Sequence, residues 1–313
     1  MHPDRRTGAK AGGGRLKSHP MPFLGPPSRY SNLNSARVVV LPFPYEGGVS
    51  YGRGTANAPQ AVLEASQQVE FYDVELDAEP FRVGIATLAS PSVPDDPGRM
   101  TDLLAQLTDD LLIRNKFPIV VGGDHSITSG CVRALSKHYP ALGVIQLDAH
   151  ADLRDSYDGS PLSHASVMAR IREMTPHSLQ LGIRSMDVEE AQRVKAEKLP
   201  FCTMRQWRRG QFDLQAALAA LPEKVFITLD VDVFDWSVIA GTGTPEPGGL
   251  YWDEALELLE TIFASKTVVG CDVVELACRP HDLNSPYAVA KLIYKMIGFK
   301  FAGQLKSLSQ FVP

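Results

Sequence analysis

VFITLDVD, residues 225–232, decides how the rest of the chain is read. Val225–Leu229 is a near-continuous apolar run, and it ends in Asp230-Val231-Asp232. A strand that is apolar at nearly every position, rather than at alternate ones, is covered on both faces, as in a parallel sheet packed between helices. The same order recurs upstream. Pro118–Val121 runs into GGDHS at 122–126, and Gly143–Leu147 runs into DAHADLRD at 148–155. Further strands are expected at Arg37–Leu41, Arg82–Thr87, Ser178–Leu181 and Thr267–Val273. Helical periodicity fills the intervals, at Pro59–Ser66, Arg99–Lys116, Ser126–His138, Ala165–Arg172, Val188–Glu197, Leu214–Leu221, Trp252–Ser265 and Ala288–Ile297. Strand and helix in alternation give an α/β layered fold. No linker-like break and no internal repeat interrupts the pattern, so residues 25–313 read as one domain. Residues 1–24 read as a flexible tail, locally basic through Arg5, Arg6, Lys10, Arg15 and Lys17.

Composition narrows the function. The chain has 313 residues, 44% of them hydrophobic, enough for a large core. Its formal net charge is −5, and its body carries no cluster of Lys and Arg, so a nucleic-acid partner is not expected. No apolar run reads as a secretion signal or a membrane helix, so the expectation is a cytoplasmic protein without a membrane partner. The four cysteines, Cys131, Cys202, Cys271 and Cys278, are scattered and read as reduced, buried small hydrophobes.

In open α/β sheets, ligands bind beyond the carboxyl ends of the strands. The polar clusters fall there. Asp148, His150 and Asp152 follow one strand at spacing two, which in extended chain places them on one face. Asp230 and Asp232 follow another in the same way, His125 follows a third, and the strand Thr267–Val273 ends near Glu275. Each cluster alone has an ordinary explanation: Asp124 and Ser126 suit a helix cap, and a single His125 suits a structural histidine. Together they bring Asp148, Asp152, Asp230 and Asp232 against two imidazoles. So many carboxylates resist ionisation unless cations balance them. Carboxylate and imidazole donors without thiolate suit harder divalent metals rather than structural zinc. A metal pair would lower the pKa of a shared water and orient it for attack.

These clusters resemble the three signature motifs of the ureohydrolase family, which holds arginases, agmatinases, guanidinobutyrases and formimidoylglutamases. GGVSYGRGTANAPQAVLEAS at 47–66 is similar to the family's N-terminal segment, and GTGTPEPGG at 241–249 to its substrate-side loop, particularly in agmatinases. The resemblance runs from about residue 37 to near residue 300. It implies a three-layer α/β/α arginase-type fold with a mostly parallel central sheet. It implies two manganese ions per subunit, with nickel or another divalent metal as the alternative. His125, Asp148, Asp152 and Asp232 would surround one ion, and Asp148, His150, Asp230 and Asp232 the other, some aspartates being shared. His164 matches the loop histidine that moves protons or touches substrate, and Glu275 the carboxylate that anchors a guanidinium; Asp152 is assigned to catalysis with them. A homotrimer or homohexamer is implied as well. The chain departs from the pattern at Trp236 and Ala240, where the family's loop carries prolines, and at Cys278. A looser substrate loop is therefore expected.

The substrate reading turns on Arg154-Asp155-Ser156-Tyr157-Asp158-Gly159. Asp155 and Asp158 would repel a carboxylate and attract an amine, which favours agmatine, cut to putrescine and urea, over arginine. N1-aminopropylagmatine carries the same guanidinium on a longer amine tail. Arg154 would suit guanidinobutyrate, and free guanidine is a further candidate. A catalytically silent binding or regulatory homologue is the alternative of another class, and the complete ligand set argues against it.

Overall fold

The computed structural model describes residues 16–308, so Arg5, Arg6, Lys10 and Arg15 of the expected tail lie outside the described residues. Eight strands form one sheet: β1 (Val38–Phe43), β2 (Ile85–Thr87), β3 (Phe117–Gly122), β4 (Gly143–Leu147), β5 (Ser178–Ile183), β6 (Phe201–Thr203), β7 (Lys224–Asp230) and β8 (Thr267–Val274). Their order across the sheet is β2-β1-β3-β8-β7-β4-β5-β6, and every neighbouring pair is parallel. All carboxyl ends therefore open on one edge.

The helices are α1 (Ser28–Ser31), α2 (Ala58–Ser66), α3 (Pro97–Ile113), α4 (Thr128–His138), α5 (Val167–Met174), α6 (Val188–Glu197), α7 (Met204–Arg208), α8 (Leu214–Ala220), α9 (Trp252–Ser265) and α10 (Asn284–Leu308). Alternate strand residues feed two separate cores. Val38, Val40, Ile119 and Val121 pack with α2, α9 and α10 on one face. Val39, Leu41, Val120 and Val144 pack with α3, α4 and α5 on the other. This is the three-layer α/β/α arrangement, and it explains why the strands lack polar alternation.

Local chemistry sets the boundaries. Asp96 caps α3 by accepting from the Arg99 N–H, Pro97 takes the first helical turn, and the chain turns out at Asn115 with φ +55°. The expected strand Arg82–Thr87 is shorter than the pattern suggested. Pro80–Val83 coil into a 3₁₀ turn, and only Ile85–Thr87 pair. Gly84 between them has φ +84°, and a Cβ there would stand 2.8 Å from the Ala36 Cα. Strand β6 was not anticipated, because three residues after Pro200 carry too little periodicity.

Residues 17–23 of the expected tail pack on the body of the protein. Ser18 pairs antiparallel with Leu88, and the His19 N–H donates to the Thr87 carbonyl at 2.8 Å. Phe23 is buried, its N–H bonded to the Thr87 Oγ1 at 2.8 Å. Residues 17–23 thus run as a strap beside β2, the first strand of the sheet. Among the described residues no helix is long and apolar enough to cross a membrane.

Candidate metal centre and substrate cavity

The polar clusters leave four adjacent strands of the sheet: β3, β8, β7 and β4. After β3, Asp124 accepts from the Ser126 N–H and starts a 3₁₀ turn that opens with His125. After β7, Asp230 caps a second 3₁₀ turn by accepting from the Asp232 N–H at 2.9 Å. After β4, the chain leaves extended geometry, and Asp152 sits at φ +53°. Glu275, just past β8, sits at φ +64°. The residues converge as expected, but by turns and left-handed backbone rather than by strand alternation. Strained backbone of this kind concentrates at functional sites.

Two groups of donor atoms result. Ligand atoms of His125, Asp148 and Asp230 lie within 4.8 Å of one another, and so do those of Asp148, His150 and Asp232. Asp148 belongs to both. The His125 Nδ1 stands 3.0 Å from Asp152, 3.1 Å from Asp148 and 3.4 Å from Asp230. The His150 Nδ1 stands 2.9 Å from Asp232. The distribution differs from the expected one: Asp230 stands with His125, and Asp232 with His150. Both carboxylates come from the one 3₁₀ turn, Asp230 as its cap and Asp232 within it.

The electrostatics favour cations. Asp124, Asp148, Asp152, Asp230, Asp232 and Glu275 are all buried, and among the described residues no Lys or Arg side chain forms an ion pair with any of them. Burial, with Asp148 beside it, pushes Asp152 up to about 6. Burial, then Asp232 and Asp148, pushes Asp230 well above the carboxylate range. Asp148 is held low: burial opposes its charge, but His125 and His150 outweigh that. The His125 Nδ1 is a buried ring atom without a hydrogen bond, although three carboxylates surround it. Its Nε2 bonds the Thr228 hydroxyl at 2.8 Å. A ring turned to present one nitrogen to carboxylates while the other is tied behind it has the form of a metal ligand. The donor set fits two divalent cations.

Beside these groups lies a cavity of about 270 Å³, lined by His150, Asp152, His164, Asp230 and Glu275 among others. Glu275 accepts from the His125 N–H at 2.7 Å, and burial with Asp124 nearby raises its pKa well above normal. It is not paired with Arg279, which donates to the Thr242 carbonyl. The His164 Nδ1 bonds the Gly48 carbonyl, and its Nε2 lies 3.2 Å from the Ser50 hydroxyl. The structure does not bring Asp155 and Asp158 to this cavity. The Asp155 side chain is 91% exposed, and Asp158 is exposed at φ +48° in a turn. Asp187 and Glu190 take that place in the lining, with Arg154, Tyr157 and Thr244. Sequence reasoning missed these two acids. They follow β5, so the strand-end rule that found the other clusters would have found them.

The substrate-side loop is held from two sides. Arg184 donates to the Asp232, Glu246 and Pro247 carbonyls. The Gly52 N–H donates to the Gly243 carbonyl at 3.2 Å, an approach so close that a Cβ on Gly52 would meet Gly243 at 2.7 Å. The segments 47–54 and 241–244 therefore pack backbone to backbone, and the loop around Ala240 is further tied by the Ser285 hydroxyl.

A layered parallel sheet with paired histidine–aspartate donor groups at its carboxyl edge defines the arginase family, and the chain belongs to it: the family model matches residues 36–298. The chain is a hydrolase of the ureohydrolase type within the agmatinase group. It is 38% identical over 306 residues to the N(1)-aminopropylagmatine ureohydrolase of Synechocystis sp., covering 94% of this chain and 98% of that protein. It is 32% identical to the agmatinase of Pyrococcus horikoshii, over 85% of this chain and 93% of that one. Among solved structures it resembles the agmatine ureohydrolase of Thermoplasma volcanium, with TM-score 0.81, 27% identity and coverage of 90% and 94%.

Proposed function

We propose that the chain hydrolyses the guanidinium of an amine-tailed guanidino compound, agmatine or its N1-aminopropyl derivative, to urea and the corresponding amine. The observation that carries this reading is one cavity that joins the two donor groups, Glu275, and the acids Asp187 and Glu190. The relatives' names favour the longer substrate over agmatine, the first choice from sequence.

His125, Asp148, Asp152 and Asp230 would hold one divalent cation, and Asp148, His150 and Asp232 the other. When bound, the pair supplies Lewis acidity, which makes water a competent nucleophile near neutral pH. Glu275 accepts paired hydrogen bonds from the planar guanidinium and fixes its carbon for attack. The leaving nitrogen needs a proton as its bond to carbon breaks, and His164, at the cavity wall, delivers it. Asp187 takes the cationic end of the tail, with the Glu190 charge beside it, the part first assigned to Asp155 and Asp158. By the same family resemblance, manganese is the expected metal, a homotrimer or homohexamer the expected assembly and the cytoplasm the expected location.

Urea release by manganese-loaded protein tests the reading, with agmatine, aminopropylagmatine, arginine, guanidinobutyrate and guanidine as substrates. Aminopropylagmatine or agmatine should lead clearly. A lead for arginine or guanidinobutyrate removes the amine-tail reading. No turnover with manganese or nickel removes the enzymatic one and leaves a binding role.

A further inference from the structure

Next to the reacting cavity lies a second one of about 300 Å³, lined by Leu153, Asp155, Ser156, Glu189 and Arg193. The two cavities share Arg154, Asp187 and Glu190 in their walls. Arg154 forms the partition. Its Nη1 stands 2.5 Å from the Asp187 Oδ2 and its Nε 3.9 Å from Glu190. Its guanidinium lies over the Tyr157 ring, 5.3 Å from the centroid. A carboxylate beside an aromatic face is the environment that recognises an ammonium group. Here a cation of the chain itself occupies it.

We propose that Arg154 is a displaceable plug: an ammonium of the substrate tail takes its place on Asp187, and its departure opens the reacting cavity into the second one, giving room for a tail longer than that of agmatine. The inference rests on the amine-tail reading above. The other acid oxygens at the partition are committed. Glu190 accepts from the Leu153 N–H at 2.7 Å and the Asp187 N–H at 2.8 Å, and the Asp187 Oδ1 accepts from the Glu190 N–H at 2.8 Å. That leaves the Asp187 Oδ2, whose one partner among the described residues is Arg154. The Arg154 and Asp187 side chains are 36% and 26% exposed, and a partly exposed ion pair is weak enough to exchange. A released Arg154 has acids to meet in the second cavity. Asp155 stands no nearer than 3.6 Å to Arg193 and 3.7 Å to Arg170, and Glu189 lines the same wall. A carboxylate tail gains nothing from this exchange, because it would face Asp187 and Glu190.

The test compares kcat/KM for aminopropylagmatine with that for butylguanidine, which has a neutral tail, in the metal-loaded full chain. Arg154→Met should raise this ratio about tenfold, through KM, because the competitor for Asp187 is gone. Arg154→Lys should leave the ratio near wild type, and Asp187→Asn should lower it. Spermidine has the tail chemistry but no guanidinium; it should bind Arg154→Met more tightly than wild type in calorimetry. A ratio unmoved or lowered in Arg154→Met, with spermidine binding unchanged, overturns the plug. A selective loss of guanidinobutyrate turnover in Arg154→Met overturns it too, by making Arg154 an anion anchor. Failure of the amine-tail reading looks different: wild type itself would prefer butylguanidine to agmatine, and the spermidine comparison would still decide the plug.

Discussion

At the scale of single residues, the roles proposed for His125 and Glu275 differ. The His125 Nδ1 faces three carboxylates and belongs to one donor group alone. His125→Ala should therefore cost the chain one divalent ion of two, measured as bound metal after dialysis. A variant with both ions and full urea release would remove His125 from the ligand set. Glu275 stands outside both groups but lines the cavity. Glu275→Gln should keep the metal content and lose guanidinium binding, raising KM and cutting kcat/KM by about a hundredfold or more. Unchanged urea release would rule out a substrate contact. The candidate donors could be picked out in the sequence because each cluster follows an apolar strand. Their grouping could not, since a turn at Asp230 and left-handed backbone at Asp152 decide it. Asp155 and Asp158 were misjudged for a related reason: sequence proximity to a motif does not say which way a loop folds.

At the scale of elements, the sequence foretold nearly every long strand and helix, since both faces of the sheet are apolar. It failed where an element is three residues long, as at β6, or where one glycine ends the pairing, as at Gly84 before β2. Helix α10 extends well beyond the expected Ala288–Ile297 and brings Lys295 inward. Lys295 is 3% exposed and its Nζ lies 2.7 Å from the buried Asp73, which also accepts from the Glu75 and Leu76 N–H groups. Burial opposes the Lys295 charge, but Asp73 and Glu75 raise its pKa above the ordinary lysine value. The stability this adds is complete at neutral pH and is lost as pH rises through the raised value. Lys295→Met leaves Asp73 buried without its cation and should cost about 3 kcal/mol of unfolding free energy. Denaturant titration checks this, and a loss under about 1 kcal/mol would make the pair ornamental.

At the scale of the molecule, one direction of travel organises everything. Eight parallel strands deliver their carboxyl ends to one edge, and among the four in the middle β3, β7 and β4 carry the donor groups while β8 brings Glu275 beside them. His125 and Asp230 meet only when β3, β8 and β7 stand in order, so the donor groups form with the sheet and bound cations should stabilise it as a unit. The strap is also a whole-molecule feature. A chain beginning at residue 25 would lose the buried Phe23 and the bonds to Thr87. It should be less stable by about 3 kcal/mol and should scatter light on concentration. A shortened chain that melts like the full one and stays monodisperse would contradict this.

The reason for the scattering lies at the margins of the sheet. A strand with one side unpaired is a template on which another molecule's backbone can grow. On the β6 side that template is only three residues long. On the β2 side the His19 N–H donates to Thr87 and the Ala89 N–H to Lys17, with Ser18 opposite Leu88 and the two chains antiparallel. The strap is therefore a hem: it covers the carboxyl end of that border, from Thr87 to Ala89, and shortens what a copy of the chain could pair with.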